Sequence, residues 1–274
     1  MPEPVDFFIH VPKTAGTTML RIIEDRYPPG SVESLYLAPP EEAAARIARI
    51  GPRTRIVAGH VDYSYSRNFP GPFRAFAMLR EPVERAISLF YFVKREPSHP
   101  SHQAVLDGKI SIEEMSREQG GMQARFIAGY SPTEPVDEAT LLAQAKEHLV
   151  QKLAVFGLTE RFDETLLLLT RALGWTLRGY ARMNVTKKRP GQDATDPALL
   201  AAIREASAVD VALYEFAQEF FAKRLAAQPP EFAEELAALR RDASVVQGVS
   251  RVREGLRSVV RRIGIFGNSG SALL

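Results

Sequence analysis

The sequence contains no cysteine among its 274 residues. Disulfide bridges, zinc sites built on thiolates and cysteine nucleophiles are therefore excluded. Neither sign of charge dominates, because 35 Lys and Arg stand against 33 Asp and Glu, so the composition does not indicate a nucleic-acid-binding protein. No apolar run reaches the roughly 18 residues of a membrane-spanning helix, and no secretory signal is recognisable at the N-terminus. We therefore expect a cytoplasmic location.

The usual signature of nucleoside-triphosphate-binding loops, G-x-x-x-x-G-K-[ST], is also missing. Residues 8–20, FIHVPKTAGTTML, nevertheless show the pattern of a strand, a tight turn and a helix. Lys13 stands at the beginning of the turn, and Gly16 would let the backbone come close to a ligand. The turn predicts an anion site made of backbone N–H groups at a helix N-terminus. The neighbouring hydroxyl donors are Thr14, Thr17 and Thr18. A plain turn with Thr17 or Thr18 as the helix cap is the alternative.

Strands and helices alternate along the chain. Strands are predicted over 5–11, 55–61, 73–79 and 153–159. Helices are predicted over 17–26, 40–50, 82–95, 111–118, 120–128, 137–152, 161–173, 197–204 and 209–225. This order favours an α/β domain with a mainly parallel sheet. Because Pro229 and Pro230 mark a boundary, we expect a main domain over 1–227 and a helical extension over 228–274.

A second strand-turn-helix pattern covers residues 79–92, LREPVERAISLFYF. Arg80 ends the strand, Pro82 suits the first turn of a helix, and Ser88 lies about two turns into it. Considered alone, this pattern favours an arginine that caps the sheet and pairs with Glu84, as most arginines beside helices do.

Together the two patterns resemble the cofactor loops of sulfotransferases that use 3′-phosphoadenosine 5′-phosphosulfate (PAPS). The resemblance is closest to the heparan sulfate 2-O-sulfotransferase-like branch, and it spans most of residues 5–225. Further matching segments are AGHVDYSYSRNF (58–69), VFGLTERFDETLLLLTRAL (155–173), NVTKKRP (184–190) and YEFAQEFFAKR (214–224). The resemblance implies a P-loop, nucleotide-kinase-like parallel sheet flanked by helices.

The resemblance also implies which residues hold the donor PAPS and the product 3′-phosphoadenosine 5′-phosphate (PAP). The 5′-phosphosulfate would be bound by Lys13, Thr14, Ala15, Gly16, Thr17 and Thr18. Arg80 and Ser88 would hold the 3′-phosphate, since a guanidinium matches phosphate geometry. A flap over the adenosine would include Arg182, Asn184, Lys187 and Lys188. No metal is expected.

The resemblance implies that His60 is the base, because Gly59-His60-Val61 matches the family's GHV. His60 lies near the end of the predicted strand RIVAGHV, and its ordinary pKa of about 6.5 suits proton abstraction near neutral pH. Without the resemblance, a core or capping histidine would be the better interpretation. His10, interpreted as a packing residue, and Asp62 are the alternatives to His60. Lys13 would stabilise the charge that develops on the leaving phosphate.

The expected acceptor is a hydroxyl group of a saccharide or glycolipid. Ala58 departs from the 2-O branch, which has a second histidine there, so the activity carries over better than the heparan substrate. Residues 250–267 predict a basic amphipathic helix that contacts a membrane surface or packs on the domain or on a second subunit of a homodimer. A small kinase and a non-catalytic protein that binds 3′-phosphoadenosine nucleotides remain as alternative functions.

Overall fold

The computed structural model describes residues 3–36, 38–176, 179–180 and 195–243. Its strands are β1 (Val5–Ile9), β2 (Val32–Ser34), β3 (Ile56–Gly59), β4 (Phe73–Leu79) and β5 (Leu153–Leu158). They form one sheet in the order β2-β3-β1-β4-β5, and every neighbouring pair is parallel. The predicted class, a parallel sheet flanked by helices, is thereby confirmed.

Apart from Asp6, the central strand β1 is apolar, as expected for a parallel strand covered by helices. Phe7, Phe8 and Ile9 are fully buried. Ile9 lies opposite Gly59 of β3 and Ala77 of β4, so the carboxyl ends of these three strands meet at one edge. After β1 the chain forms β2 and β3 on one side of β1 and then crosses over to form β4 on the other side. This reversal of direction places a crevice at that edge of the sheet.

Helices cover the sheet and extend beyond it. They are α1 (Gly16–Arg26), α2 (Pro40–Ala48), α3 (Pro82–Val93), α4 (His102–Leu106), α5 (Ile112–Glu118), α6 (Met122–Ala128), α7 (Glu138–Gln151), α8 (Phe162–Leu173), α9 (Pro197–Ala206) and α10 (Ala208–Ala226). Two 3₁₀ turns lie at Tyr63–Asn68 and Thr159–Arg161, and residues 231–243 are also helical. Within the described residues, no helix combines the length and apolarity needed to cross a membrane.

Among the described residues, four elements were not predicted: β2, α4 and the 3₁₀ turns at Tyr63–Asn68 and Thr159–Arg161. β2 is a three-residue edge strand with Val32 as its single aliphatic residue, too short for an alternating pattern. The expected threonine cap of α1 is wrong, because the helix begins at Gly16 and Ala15 occupies the capping position.

Several predictions lie outside the described residues. These are the flap residues Arg182, Asn184, Lys187 and Lys188 and the amphipathic segment 250–267. Phe232 and Leu239, from the helix at 231–243, are buried in the same core as the sheet. The division of the chain at 227 and 228 stays a prediction.

Candidate active site

A cavity of about 590 Å³ lies at the carboxyl ends of β1, β3 and β4. The predicted site residues that line it are Lys13, Ala15, Gly16, Thr17, Thr18, His60, Arg80 and Ser88. Its volume is within the range of about 300–1,000 Å³ that is usual for small-molecule sites. The structure therefore brings into one cavity residues that are distributed over three segments of the sequence.

The lysine loop, residues 12–18, connects β1 to α1 with an unusual backbone. Lys13 and Ala15 adopt left-handed conformations with φ angles of 71° and 67°. Such a conformation costs a non-glycine residue about 1–2 kcal/mol, and strain of this kind is concentrated at functional sites. Ala15 has no side-chain oxygen to cap α1, and the first turn contains no acidic residue. The helix N-terminus is thus electropositive where it meets the cavity.

Gly16 is required by a contact that the sequence did not reveal. A Cβ atom at this position would lie 1.6 Å from Nε2 of His10, so the imidazole packs directly against the glycine. The glycine therefore makes room for His10, whereas its expected role, close approach of a ligand to the backbone, stays a prediction. The histidine at the end of β1 sets the position of the first residue of α1.

Thr14 faces away from the cavity. Its side chain is fully buried, and its hydroxyl donates a hydrogen bond of 2.8 Å to the carbonyl of Val11. This bond closes the loop internally. Thr17 and Thr18 line the cavity, so the threonine hydroxyls of the motif are divided between the loop interior and the cavity wall.

His60 lies in the cavity wall with its ring partly exposed to it. Its Nδ1 is 2.9 Å from the main-chain carbonyl of His10. A carbonyl can only accept, so Nδ1 carries the proton and Nε2 keeps the lone pair of a general base. The surrounding protein lowers the pKa of His60, the positive charge of Lys13 lowers it further, and the bond to His10 acts in the opposite direction. The imidazole is therefore neutral near pH 7.

His10 belongs to an aromatic group that also includes His60 and Tyr36. The ring centroids of the two histidines are 4.5 Å apart, and Nδ1 of His10 is 2.8 Å from the Tyr36 hydroxyl. Burial, together with the charges of His60 and Lys13, holds the pKa of His10 well below its ordinary value. His10 is thus a neutral packing residue. Tyr36 was missed because it follows the unpredicted strand β2.

Asp62, the other alternative base, has a structural partner. Its carboxylate accepts a hydrogen bond of 2.8 Å from the backbone N–H of Ser64 and caps the 3₁₀ turn at Tyr63–Asn68. The side chain is buried, and burial raises its pKa. Asp62 is absent from the cavity wall formed by the described residues.

The ammonium group of Lys13 lies 3.9 Å from the ring centroid of Phe92, on the helix α3. This is a cation–π contact, and Phe92 also lines the cavity. Phe92 was not among the predicted site residues. Its spacing of four residues from Ser88 along one helix could have indicated that both face the same cavity.

Arg80 connects the two halves of the cavity. One guanidinium nitrogen donates to the carbonyl of Lys13 at 3.2 Å, and the other donates to Glu84 at 3.3 Å. Glu160 lies 4.0 Å from Nε. The pair with Glu84, which the motif alone favours, is therefore present, and the same side chain also contacts the lysine loop and the cavity.

The remaining lining of the cavity mixes polar and apolar side chains and was not assigned to individual residues from the sequence. Its polar residues include Arg95, His99, Ser101, Glu118 and Gln119, and its apolar residues include Leu89, Val93 and Met115. Among the described residues, no group of three or more His, Asp or Glu side chains is placed to hold a metal ion.

Comparison with known proteins gives curated relatives of one kind. The chain is 27% identical over 243 residues to galactose-3-O-sulfotransferase 3 of Bos taurus, and 26% identical to the Homo sapiens and Mus musculus proteins of that name. The matches cover 80% of this chain and 56–57% of the relatives, so the chain spans little more than half their length. No family model matches.

A solved structure of mouse sulfotransferase SULT7A1 complexed with PAP is a structural neighbour. It superposes with a TM-score of 0.42 and 15% identity, covering 74% of this chain and 64% of that one. The heparan sulfate 2-O branch stays a prediction, whereas the predicted resemblance of this chain to the sulfotransferases is confirmed by its curated relatives.

Proposed function

We propose that the protein is a sulfotransferase that uses PAPS as donor and a saccharide hydroxyl as acceptor. The observation that carries the proposal is the convergence of the lysine loop, His60 and Arg80 on one cavity. Lys13 and Arg80 are 67 residues apart in sequence, yet they are joined by a hydrogen bond. Neither loop alone would distinguish an anion site from an ordinary turn.

The residues of the cavity suit a nucleotide with phosphate groups at both ends of its ribose. The lysine loop offers a helix N-terminus, an ammonium group and two threonines for the 5′ side. Arg80 and Ser88 offer a guanidinium and a hydroxyl for the 3′-phosphate. Glu84 must give up part of its contact with Arg80 when that phosphate binds, since both acceptors need the same donors.

PAPS supplies an activated sulfuryl group: the acceptor oxygen forms a new bond to sulfur, the bond between sulfur and the 5′-phosphate oxygen breaks, and PAP leaves with the electron pair. His60 takes the hydroxyl proton on Nε2, because its Nδ1 proton is committed to the His10 carbonyl. Lys13 stabilises the negative charge that develops on the phosphate oxygen. Arg95 and Glu118, which also line the cavity, offer polar groups to a saccharide.

A saccharide acceptor is supported by the names of the curated relatives, which are galactose sulfotransferases. We expect a terminal galactose to be the first acceptor worth testing.

Calorimetric titration with PAP tests the donor class, with ATP·Mg²⁺ as the comparison ligand. We expect PAP to bind, ATP·Mg²⁺ to bind far more weakly, and Arg80→Ala to lose most of the PAP affinity. Arg21→Ala is the matched control, because Arg21 lies on the exposed face of α1 and contacts only Glu24 and Asp25 among the ion pairs of the described residues.

Tight binding of ATP·Mg²⁺ without a response to PAP would instead favour the kinase alternative. A binding protein without catalysis would bind PAP, yet form no PAP from PAPS in the presence of a galactose-terminated oligosaccharide. Mass spectrometry can detect release of PAP that depends on the acceptor. Such release would distinguish an enzyme from a non-catalytic binding protein.

A further inference from the structure

A buried amide from α6 holds the residue that follows β4. Oε1 of Gln123 accepts a hydrogen bond of 2.9 Å from the backbone N–H of Arg80, and its Nε2 donates one of 2.9 Å to the carbonyl of the same residue. The Gln123 side chain is 1% exposed. One side chain therefore satisfies both main-chain polar groups of Arg80.

Gln123 is itself fixed by α10. The carboxylate of Asp210 accepts hydrogen bonds from the backbone N–H groups of Gln123, at 3.3 Å, and Ala124, at 2.9 Å. Arg85 of α3 lies 3.8 Å from Asp210, and both of these charged side chains are buried. A chain of polar contacts thus runs from α10 through α6 to the end of β4.

Arg80 needs such support because it belongs to no regular element. The strand β4 ends at Leu79 and α3 begins at Pro82. Neither the sheet nor the helix therefore fixes the backbone conformation of Arg80 through its regular hydrogen bonds. The side chain of Arg80 must nevertheless reach the lysine loop and the cavity together. A guanidinium recognises a phosphate by a fixed fork of donors, so a small rotation of its backbone would misplace the fork.

We propose that Gln123 is a positioning residue for recognition of the 3′-phosphate of the donor. It orients Arg80 through the main chain and has no contact with the nucleotide. The inference rests on the proposed function, because it assigns Arg80 to that phosphate. It goes further in naming a buried residue, 43 positions away in sequence, that sets selectivity for 3′-phosphorylated nucleotides.

The test is Gln123→Met, which keeps the length of the side chain and removes both hydrogen bonds. The measured quantity is the ratio of the dissociation constants of AMP and PAP, since the two ligands differ by the 3′-phosphate. We expect the ratio to fall by about tenfold, the loss typical of a disturbed hydrogen bond to a charged group, while AMP binding changes little. A purely structural defect would weaken both ligands together.

Gln144→Met is the matched control. The amide nitrogen of Gln144 also donates a hydrogen bond to a main-chain carbonyl, that of Ala128. Gln144 lies outside the cavity wall formed by the described residues. We expect a similar change in melting temperature and no change in the ratio. Gln123→Asn is the second variant for the case that Gln123→Met does not fold, because it keeps a polar amide in the buried site but is one methylene shorter, so it no longer reaches both main-chain groups of Arg80.

An unchanged ratio in a folded Gln123 variant would overturn the inference and leave the proposed function standing. Failure of the proposed function is recognised separately: the wild-type protein would then show no preference for PAP over AMP, or Arg80→Ala would leave that preference intact.

Discussion

The lysine loop and the arginine loop, residues 80–84, share a strand-turn-helix arrangement but differ in how the N-terminus of the following helix is capped. Each follows a buried parallel strand and begins a helix at the same edge of the sheet. Ala15 leaves the N-terminus of α1 without a side-chain cap. Glu81 caps α3 by accepting a hydrogen bond of 2.7 Å from the N–H of Glu84, and Pro82 occupies the first turn.

The difference indicates two ways of binding an anion. An uncapped helix with a left-handed approach presents backbone N–H groups and dipole to a ligand. In α3 the cap occupies the N–H of Glu84 and Pro82 has no N–H, so fewer backbone donors are left and the loop delivers charge through a side chain, here Arg80. The lysine loop therefore depends on backbone shape, whereas the arginine loop depends on the placement of one guanidinium. The predictions below test that division.

The largest effect is expected for the residue that belongs to neither loop. His60→Ala should lower kcat by about 10²–10⁴-fold, the usual contribution of a general base, and leave PAP affinity nearly unchanged. His148→Ala is the control, because His148 also bonds a main-chain carbonyl, that of Ile127, away from the cavity. Initial rates with PAPS and a galactose-terminated oligosaccharide provide the measurement. A variant that keeps its rate would remove His60 from the mechanism.

The shape of the lysine loop is tested by Gly16→Ala. The added methyl group would meet the His10 ring at 1.6 Å, so we expect a loss of about 1–3 kcal/mol in the free energy of unfolding and weaker PAP binding. Gly71→Ala is the control, because a Cβ there meets nothing within 4 Å. The double variant His10→Ala/Gly16→Ala should recover part of the loss, measured by denaturant unfolding. If the losses in free energy of unfolding of the two single variants simply add in the double variant, the contact between Gly16 and His10 would be contradicted.

The cap of the arginine loop is tested by Glu81→Ala. Loss of an N-cap costs about 1 kcal/mol, which lowers the melting temperature by a few degrees. Asp137→Ala removes an equivalent cap, on α7, and should cost about the same. Only Glu81→Ala is expected to change PAP affinity, because only its loop includes Arg80. Equal PAP affinities of Glu81→Ala and Asp137→Ala in calorimetry would show that the cap of α3 affects PAP binding no more than the cap of α7 does.

The smallest effect concerns the charge of the lysine loop near His60. Lys13→Met removes a positive charge that disfavours the imidazolium, so the pKa of His60 should rise. Its protonation would then occur at higher pH, and the neutral base would be available over a narrower range. Titration of the imidazole resonances by NMR measures this shift directly. A constant pKa would show that the ammonium is too far from His60 to affect its protonation. A pKa that falls would contradict the expected sign.

Much of the site could be predicted because it depends on local patterns. Lys13, His60 and Arg80 each follow a strand of recognisable hydrophobicity, and the carboxyl ends of parallel strands share one edge. Ser88 and Phe92 could be placed by helical spacing. Tyr36 could not be predicted, because the short edge strand before it has no periodic signal. Gln123 could not either, since nothing near it in sequence indicates a contact with Arg80.

The sequence by itself determined the order of the strands and helices other than β2 and α4, the types of reactive side chain, and the lysine and arginine loops. Tertiary structure alone decided that Gly16 accommodates His10, that Thr14 turns inward, and that Gln123 clamps Arg80. The physical reason is the range of the interactions. Periodicity and capping act over a few residues, whereas these contacts depend on the packing of neighbouring elements and the alignment of strands, which no local pattern encodes.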